Sequence, residues 1–317
     1  MKNIILILCF ALISVACYSQ EIEKIKLDVK DEWNLYLNDE ESDELFYLRL
    51  VPKNKPIGAL VILPSGFEKV ENTLLQIDLH KKAVEQGLIV IVPSINWGND
   101  DRIYEFKILD KIFAQVIREF NVPKDKFILG GLSNGGMIAI KYAEKSVENP
   151  EQTLLKPLGI FGLDTPLDLA HLYQYAEREI KRNFSEAGMN EARWMINKYN
   201  QMYGGPPSEF PEKYIEASMY SHGVENGGNA VYLKDMPIRM YTDLDVNWLL
   251  NERNRDLYDW NGTNIVAMIN ELKLMGNKDA NVIITMGKGV RLDGRRHPHS
   301  WSIMDTEDCM NWINSLL

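Results

Sequence analysis

A serine between two glycines is the first place in this chain where chemistry is expected. The segment Gly131-Leu-Ser133-Asn-Gly135 follows the apolar run Phe127–Leu129 and precedes a helical pattern that starts at Met137. A sharp strand-to-helix turn of this kind holds a serine hydroxyl out at the end of a strand, since its glycines have no Cβ to collide. We predict that Ser133 is a nucleophile in such an elbow. The alternative is a glycine-rich turn with an idle serine.

A histidine must activate this serine, because a hydroxyl is a weak nucleophile near neutral pH. The segment His297-Pro-His299 lies after the last strand pattern and just before the final helical pattern. We predict His299 as the general base, with His297 as the reserve. Two histidines on one loop, without a nearby cysteine or carboxylate pattern, make a poor metal site. No metal site is predicted.

The carboxylate that orients the histidine is expected where a parallel strand ends, because catalytic groups gather at such ends. Asp245 follows the strand pattern that ends at Tyr241, and it is the preferred acid. Asp243 lies close enough to exchange roles with it. Asp164, at the end of the preceding strand pattern, is the third candidate. Each of the three has an alternative role as a helix cap.

Backbone N–H groups are expected to stabilise the negative oxygen of a tetrahedral intermediate. One is that of Asn134, which follows the serine, and the other is that of Gly66 or Phe67 in the loop after the strand pattern Ala59–Leu63. Each such donor has been worth about 3 to 4 kcal/mol in measured cases. The alternative is an ordinary turn at the end of a strand.

The order of elements predicts an α/β fold. From Gly58 onward, continuous apolar runs alternate with helical patterns, as in a mostly parallel sheet that helices cover on both faces. The strand rhythm stops between Asp164 and Met236. We therefore predict one catalytic domain made of residues 20–163 and 236–317, with a helical cap inserted at 164–235. The many aromatic residues of the cap either line a substrate cleft or form the cap's own small core.

The first residues have the pattern of an export signal. A lysine precedes a short apolar run that ends in small residues, which predicts a signal peptide over 1–19. In the alternative, a lipoprotein signal covers 1–16 and Cys17 is lipidated, which would be the only link to a membrane. The protein is thus expected to be periplasmic, secreted or lipid-anchored at the cell envelope.

Composition excludes several classes of protein. The chain has 317 residues and a net charge of −10. Nucleic acid is not an expected partner, because binding to it needs a clustered basic face. Its three cysteines offer no disulfide framework, and Cys309 lies in an apolar helical pattern typical of a buried thiol.

These residues together resemble the α/β-hydrolase superfamily over 58–147 and 236–317. The elbow is similar to that of secreted esterases related to polyhydroxybutyrate depolymerases and feruloyl esterases. In those proteins the oxyanion loop usually carries His-Gly, where this chain has Ser65-Gly66. The resemblance implies hydrolysis of a carboxylic ester, small or oligomeric, through an acyl-enzyme formed on Ser133. It requires no metal or organic cofactor.

Two alternatives to an esterase stay open on the sequence alone: a peptidase of the same fold, and a non-catalytic binding protein of the cell envelope on a hydrolase scaffold. Arg291, Arg295 and Arg296 precede His299 and could recognise a carboxylate on a substrate. Arginines in a loop are more often solvated surface.

Overall fold

The computed structural model describes residues 21–29, 45–95 and 103–317. The predicted signal segment and Cys17 lie outside these residues. The strands are β1 Glu23–Lys26, β2 Phe46–Leu50, β3 Gly58–Leu63, β4 Leu88–Pro93, β5 Phe127–Leu132, β6 Gly159–Leu163, β7 Ile238–Asp243 and β8 Ala280–Thr285. The helices are α1 Val70–Gln76, α2 Leu79–Glu85, α3 Ile103–Phe120, α4 Asn134–Glu148, α5 Leu169–Arg182, α6 Glu186–Tyr203, α7 Pro211–Ala217, α8 Val246–Arg253, α9 Asn261–Leu274 and α10 Thr306–Leu316.

One sheet contains all the strands of the described residues, in the order β1-β2-β4-β3-β5-β6-β7-β8. The first two strands pair antiparallel with each other, and β2 pairs antiparallel with β4. All later neighbours are parallel. The mostly parallel sheet expected from the sequence is therefore confirmed. Parallel order also brings the carboxyl ends of β3, β5, β6 and β7 to one edge, where the loops that follow them can meet.

The period of two along a strand divides the core between the two faces of the sheet. Within β3, Val61 and Leu63 pack in a cluster that includes residues of α3, α4 and α9. Their neighbours Leu60 and Ile62 pack in a second cluster with residues of α1, α2 and α10. Both clusters are needed to cover strands that are buried along their whole length.

The segment between β6 and β7 contains α5, α6, α7 and a 3-10 helix at Glu225–Leu233. Four buried tyrosines of these helices pack ring against ring, with centroids 4.6 to 6.3 Å apart: Tyr173, Tyr199, Tyr203 and Tyr214. For these four side chains, the contacts are those of a small core within the segment. The boundaries 164 and 235 stay a prediction.

The Cys309 thiol is fully buried in α10. Burial raises its pKa to about 12, so the thiol stays protonated and unreactive. In the described part of the chain, no helix is both long and apolar enough to cross a membrane.

Candidate active site

Ser133 occupies a strained turn between β5 and α4. Its backbone has φ 55° and ψ −119°, a conformation that residues other than glycine rarely adopt. The two glycines around it allow this turn because the backbone at the end of β3 passes very close. A Cβ on Gly131 would lie 2.4 Å from the carbonyl oxygen of Leu63, and one on Gly135 would lie 2.1 Å from it. The sharp elbow expected from the sequence thus depends on contact with the neighbouring strand.

His299 pairs with Asp164. The Nδ1 atom of His299 lies 2.6 Å from Oδ2 of Asp164, whose side chain is fully buried at the end of β6. Asn261 also donates to Asp164, at 3.0 Å to its carbonyl oxygen and 3.3 Å to Oδ2. A carboxylate in this position holds the proton of a neutral imidazole on Nδ1 and leaves Nε2 as a proton acceptor.

The preferred acid of the sequence analysis, Asp245, does not contact His299 in the structure. Asp245 caps α8 by accepting a hydrogen bond from the backbone N–H of Trp248 at 3.0 Å, and it forms a salt bridge of 2.8 Å with Arg296. The structure therefore corrects the expected pairing in favour of Asp164, the third candidate. The capping alternative describes Asp245 correctly.

Asp243, the second candidate, is also engaged elsewhere. Its carboxylate accepts hydrogen bonds of 2.8 to 2.9 Å from three consecutive backbone N–H groups, those of residues 287 to 289. Arg296 adds a salt bridge of 3.0 Å. Asp243, the last residue of β7, and Asp245 thus fasten the segment that follows β8, and this segment leads to His299.

His297 is poorly suited to serve as the base. Its Nε2 lies 2.9 Å from Nη2 of Arg253, and its Nδ1 accepts a hydrogen bond of 3.1 Å from the backbone N–H of His299. Burial, followed by the positive charges of Arg291 and other neighbours, lowers the pKa of His297 to about 2. His297 is therefore neutral and occupied at both ring nitrogens.

The loop after β3, the expected donor loop, forms a tight turn. Phe67 adopts a positive φ of 62°, and the N–H of Glu68 closes a turn onto the carbonyl oxygen of Ser65 at 3.1 Å. Asn134, the other expected donor, is buried as the first residue of α4. The N-terminal end of a helix carries positive partial charge and attracts negative charge.

Glu68 links this loop to the histidine loop, a role that the sequence analysis missed. Its Oε2 accepts a hydrogen bond of 3.0 Å from the backbone N–H of Ser65. Its carboxylate also accepts the indole N–H of Trp301 at 3.1 and 3.2 Å, and Gln76 donates to it as well. No sequence signal pointed to Glu68, because its partners are distant in the chain.

A cavity of about 450 Å³ lies between the loop after β3 and the histidine loop, within the usual size range of small-molecule sites. Gly66, Phe67 and Glu68 form one wall, and Arg291 to Asp293 form another. His299 lines the cavity together with Leu132, the residue directly before Ser133. Trp194 of α6 meets Phe67 edge to face at 5.5 Å between ring centroids, so the helical insertion touches the donor loop.

The loops that carry the predicted residues thus lie at one edge of the sheet, where Asp245 is present but does not contact His299. A serine in a strained turn and an imidazole held by a carboxylate are the groups that acyl transfer uses. In the described residues, no group of three or more His, Cys, Asp or Glu side chains could hold a metal ion.

No protein-family model matches this sequence, and no curated protein matches it either. Solved structures match it in fold. The acylaminoacyl peptidase of Pyrococcus horikoshii, in an orthorhombic crystal form, is similar with a TM-score of 0.56 at 13% identity, over 95% of this chain and 42% of that chain. This chain therefore spans less than half the length of that peptidase.

Two further solved structures are of similar length to this chain. A lipase in an open form matches with a TM-score of 0.55 at 11% identity, over 93% of this chain and 99% of that chain. The S-formylglutathione hydrolase of Agrobacterium tumefaciens matches with a TM-score of 0.51 at 13% identity, over 95% and 99%. At these identities the likeness establishes the fold alone: the chain has the α/β-hydrolase fold.

Proposed function

We propose that this chain is a serine hydrolase that cleaves a carboxylic ester, with Ser133 as nucleophile, His299 as general base and acid, and Asp164 as the acid that orients it. The observation that carries the proposal is the 2.6 Å contact between His299 and Asp164. This contact fixes the imidazole tautomer that can accept a proton on Nε2.

In the first half of the reaction, the oxygen of Ser133 attacks the ester carbonyl carbon while His299 takes the hydroxyl proton. The carbonyl electron pair moves onto oxygen, where the N–H groups of Asn134 and of Gly66 or Phe67 stabilise the charge. The electron pair on this oxygen then re-forms the carbonyl double bond, the bond to the alcohol oxygen breaks, and His299 gives its proton to the leaving alcohol. An acyl-enzyme remains on Ser133.

In the second half, water attacks the acyl carbon and gives a proton to His299. Collapse of the second tetrahedral intermediate breaks the bond to Ser133, which takes the proton back from His299. The products are a carboxylic acid and an alcohol, and no other reactant is consumed.

A fluorophosphonate probe tests this proposal, because it labels only an activated serine. We expect the wild-type protein to gain the mass of one probe less HF, because the serine oxygen displaces fluoride, and Ser133→Ala and His299→Ala to gain none. Ser315→Ala removes an exposed serine hydroxyl in α10 and is the matched control, expected to label like the wild type. A folded wild-type protein that stays unlabelled would contradict the proposal, as would labelling of Ser133→Ala.

A peptidase is the second candidate, since the acylaminoacyl peptidase of Pyrococcus horikoshii has the same fold at a TM-score of 0.56. The two activities use the same attack and differ in the leaving group. Aryl esters and aminoacyl anilides of the same acyl groups distinguish them. A higher kcat/KM on the anilides would favour the peptidase.

Export is proposed on the N-terminal pattern of lysine, apolar run and small residues within 1–19. Mass spectrometry of the protein recovered from its own cells tests this proposal. A chain that starts at Gln20 indicates a cleaved signal, and a lipid-modified Cys17 indicates anchoring. An intact Met1 would contradict export through a cleaved signal.

A further inference from the structure

Four arginines lie on two segments near the loop of His297 and His299. Arg253 ends α8, while Arg291, Arg295 and Arg296 belong to the hairpin of residues 289 to 297 that connects β8 to His299. The wall of the cavity next to His299 includes Arg291. Positive charge is thus concentrated at one side of the candidate active site, in a chain whose net charge is −10.

The hairpin holds these arginines in defined places. Val290 and Arg296 form an antiparallel bridge, and the N–H of Arg291 donates to the carbonyl oxygen of Arg295 at 2.9 Å. The base of the hairpin is fastened to the sheet, because Arg296 forms salt bridges with Asp243 and Asp245. The position of Arg291 relative to His299 is therefore set by the fold.

The four arginines differ in what neutralises them. Arg296 forms salt bridges with Asp243 and Asp245, and Arg295 forms one of 2.6 Å with Asp293. Among the described residues, neither Arg291 nor Arg253 forms a salt bridge. The guanidinium of Arg253 instead lies 2.9 Å from the ring of His297 and over the ring of Trp248.

The carboxylates of the cavity are already occupied. Glu68 accepts hydrogen bonds from Ser65 and Trp301, and Asp293 pairs with Arg295. These donors to Glu68 are neutral groups, so Glu68 keeps its negative charge at one wall, while Arg291 supplies positive charge at the other wall, beside His299. Desolvation, followed by the positive charges of Arg253 and Arg295, lowers the pKa of Arg291, and Arg291 is exposed and accessible to an incoming anion.

A guanidinium in such a place matches a carboxylate, whose two oxygens can accept two parallel N–H bonds. We propose that Arg291, supported by Arg253, binds a carboxylate carried by the substrate, so that the enzyme prefers esters with a free acid group over neutral ones. This inference rests on the proposed function and adds the substrate class to it.

Matched pairs of esters test the preference. Each pair joins the same aryl alcohol to a dicarboxylic acid, adipic or suberic, with the far end left as carboxylate or capped as amide. We expect the wild type to favour the carboxylate by about tenfold or more in kcat/KM at low salt, the scale of one charged hydrogen bond. We also expect the preference to fall as ionic strength rises.

The variant Arg291→Gln is expected to lose most of this preference, while Arg295→Gln, whose charge is already paired with Asp293, keeps it. Fluorophosphonate labelling of both variants verifies that the serine is still activated. Equal kcat/KM for the two members of a pair in the wild type would overturn the inference and leave the proposed hydrolase intact. So would an unchanged preference in Arg291→Gln.

Failure of the proposed function has a different signature, namely no turnover of either ester and no labelling. Calorimetric titration with adipate itself tests the anion site in that case. Binding that Arg291→Gln abolishes would support the site without catalysis, and absence of binding to the wild type would overturn it.

Discussion

The Nδ1 atom of His299 lies 2.6 Å from Oδ2 of Asp164, although the two residues are 135 positions apart in the chain. Asp164 reaches this place because β6 lies beside both β5 and β7 in the sheet. Its backbone has a positive φ of 37°, and its N–H donates to the carbonyl oxygen of Tyr241 in β7. The carboxylate that contacts His299 is therefore held at the end of β6, and not after β7 as expected.

Asp164→Asn is expected to reduce kcat by about 10³ to 10⁴-fold, because an amide at this position favours the wrong tautomer of His299. Steady-state ester hydrolysis measures the loss. A weaker effect than about tenfold would exclude Asp164 as the acid that orients the base.

Asp245→Asn is the matched control for this change, since it removes the same charge from the next candidate. It weakens the salt bridge to Arg296 and leaves the His299–Asp164 contact in place. We expect a loss in kcat of at most about tenfold. A greater loss of kcat in Asp245→Asn than in Asp164→Asn would indicate that Asp245, and not Asp164, orients His299.

The sequence preferred Asp245 as the partner of His299, and the structure pairs His299 with Asp164 instead, for a physical reason. Asp164 and Asp245 each follow a parallel strand, and each precedes His299 in the chain. The order of the strands therefore cannot show which of the two contacts the histidine. What separates them is Arg296, which neutralises Asp243 and Asp245 together. A contact between a hairpin and a strand end has no signature in the spacing of residues.

Gly135→Ala is expected to lower both stability and fluorophosphonate labelling. The added Cβ would lie 2.1 Å from the carbonyl oxygen of Leu63, so the elbow and the end of β3 must move apart. Gly276→Ala is the control, because Gly276 has a φ of +96° and nothing within 4 Å of an added Cβ.

The control variant is expected to lose only about 1 kcal/mol from backbone strain, with normal labelling. Thermal unfolding and the rate of labelling distinguish the two effects. Normal labelling in Gly135→Ala would mean that the close approach does not shape the elbow.

Glu68 is expected to act as a positioning residue. Because its carboxylate accepts from Ser65 and Trp301 at once, it couples the donor loop to the segment that carries His299. Glu68→Gln places an amide N–H against these donors, so we expect kcat to fall by about tenfold with little change in KM, in line with the loss of charged hydrogen bonds. A fall confined to KM would indicate a binding role instead.

Glu71→Gln is the control for this prediction, since Glu71 is an exposed glutamate three positions further on, in α1. It is expected to leave both constants unchanged. Equal losses in the two variants would show a general effect of removing negative charge near the cavity.

The fold could be predicted from the sequence more fully than the site, because buried parallel strands consist of continuous apolar runs. The strands β3, β4 and β5 are buried at every position, so that pattern has no competing interpretation. The contacts of Glu68 and Asp164 join residues from different elements, and only the assembled sheet brings them together.

Glu144 gives a prediction for stability against pH. It is fully buried in α4, and burial raises its pKa from 4.5 to about 7, although Lys141 lies 3.3 Å away and opposes this. The folded protein therefore holds a proton there that the unfolded chain releases above pH 4.5. Stability should fall as pH rises from 4.5 to about 7, by an amount on the order of 3 kcal/mol.

Glu144→Gln is expected to remove this fall, so that urea unfolding at pH 5 and pH 8 gives more similar free energies than in the wild type. Glu148→Gln is the control, because the pKa of Glu148 is lowered in spite of partial burial, through its hydrogen bond with Lys145. A lowered pKa stabilises the folded protein above the unfolded value, so this variant should lose stability at pH 8 and not gain it. The same pH dependence in Glu144→Gln and the wild type would show that Glu144 is ionised in the folded protein.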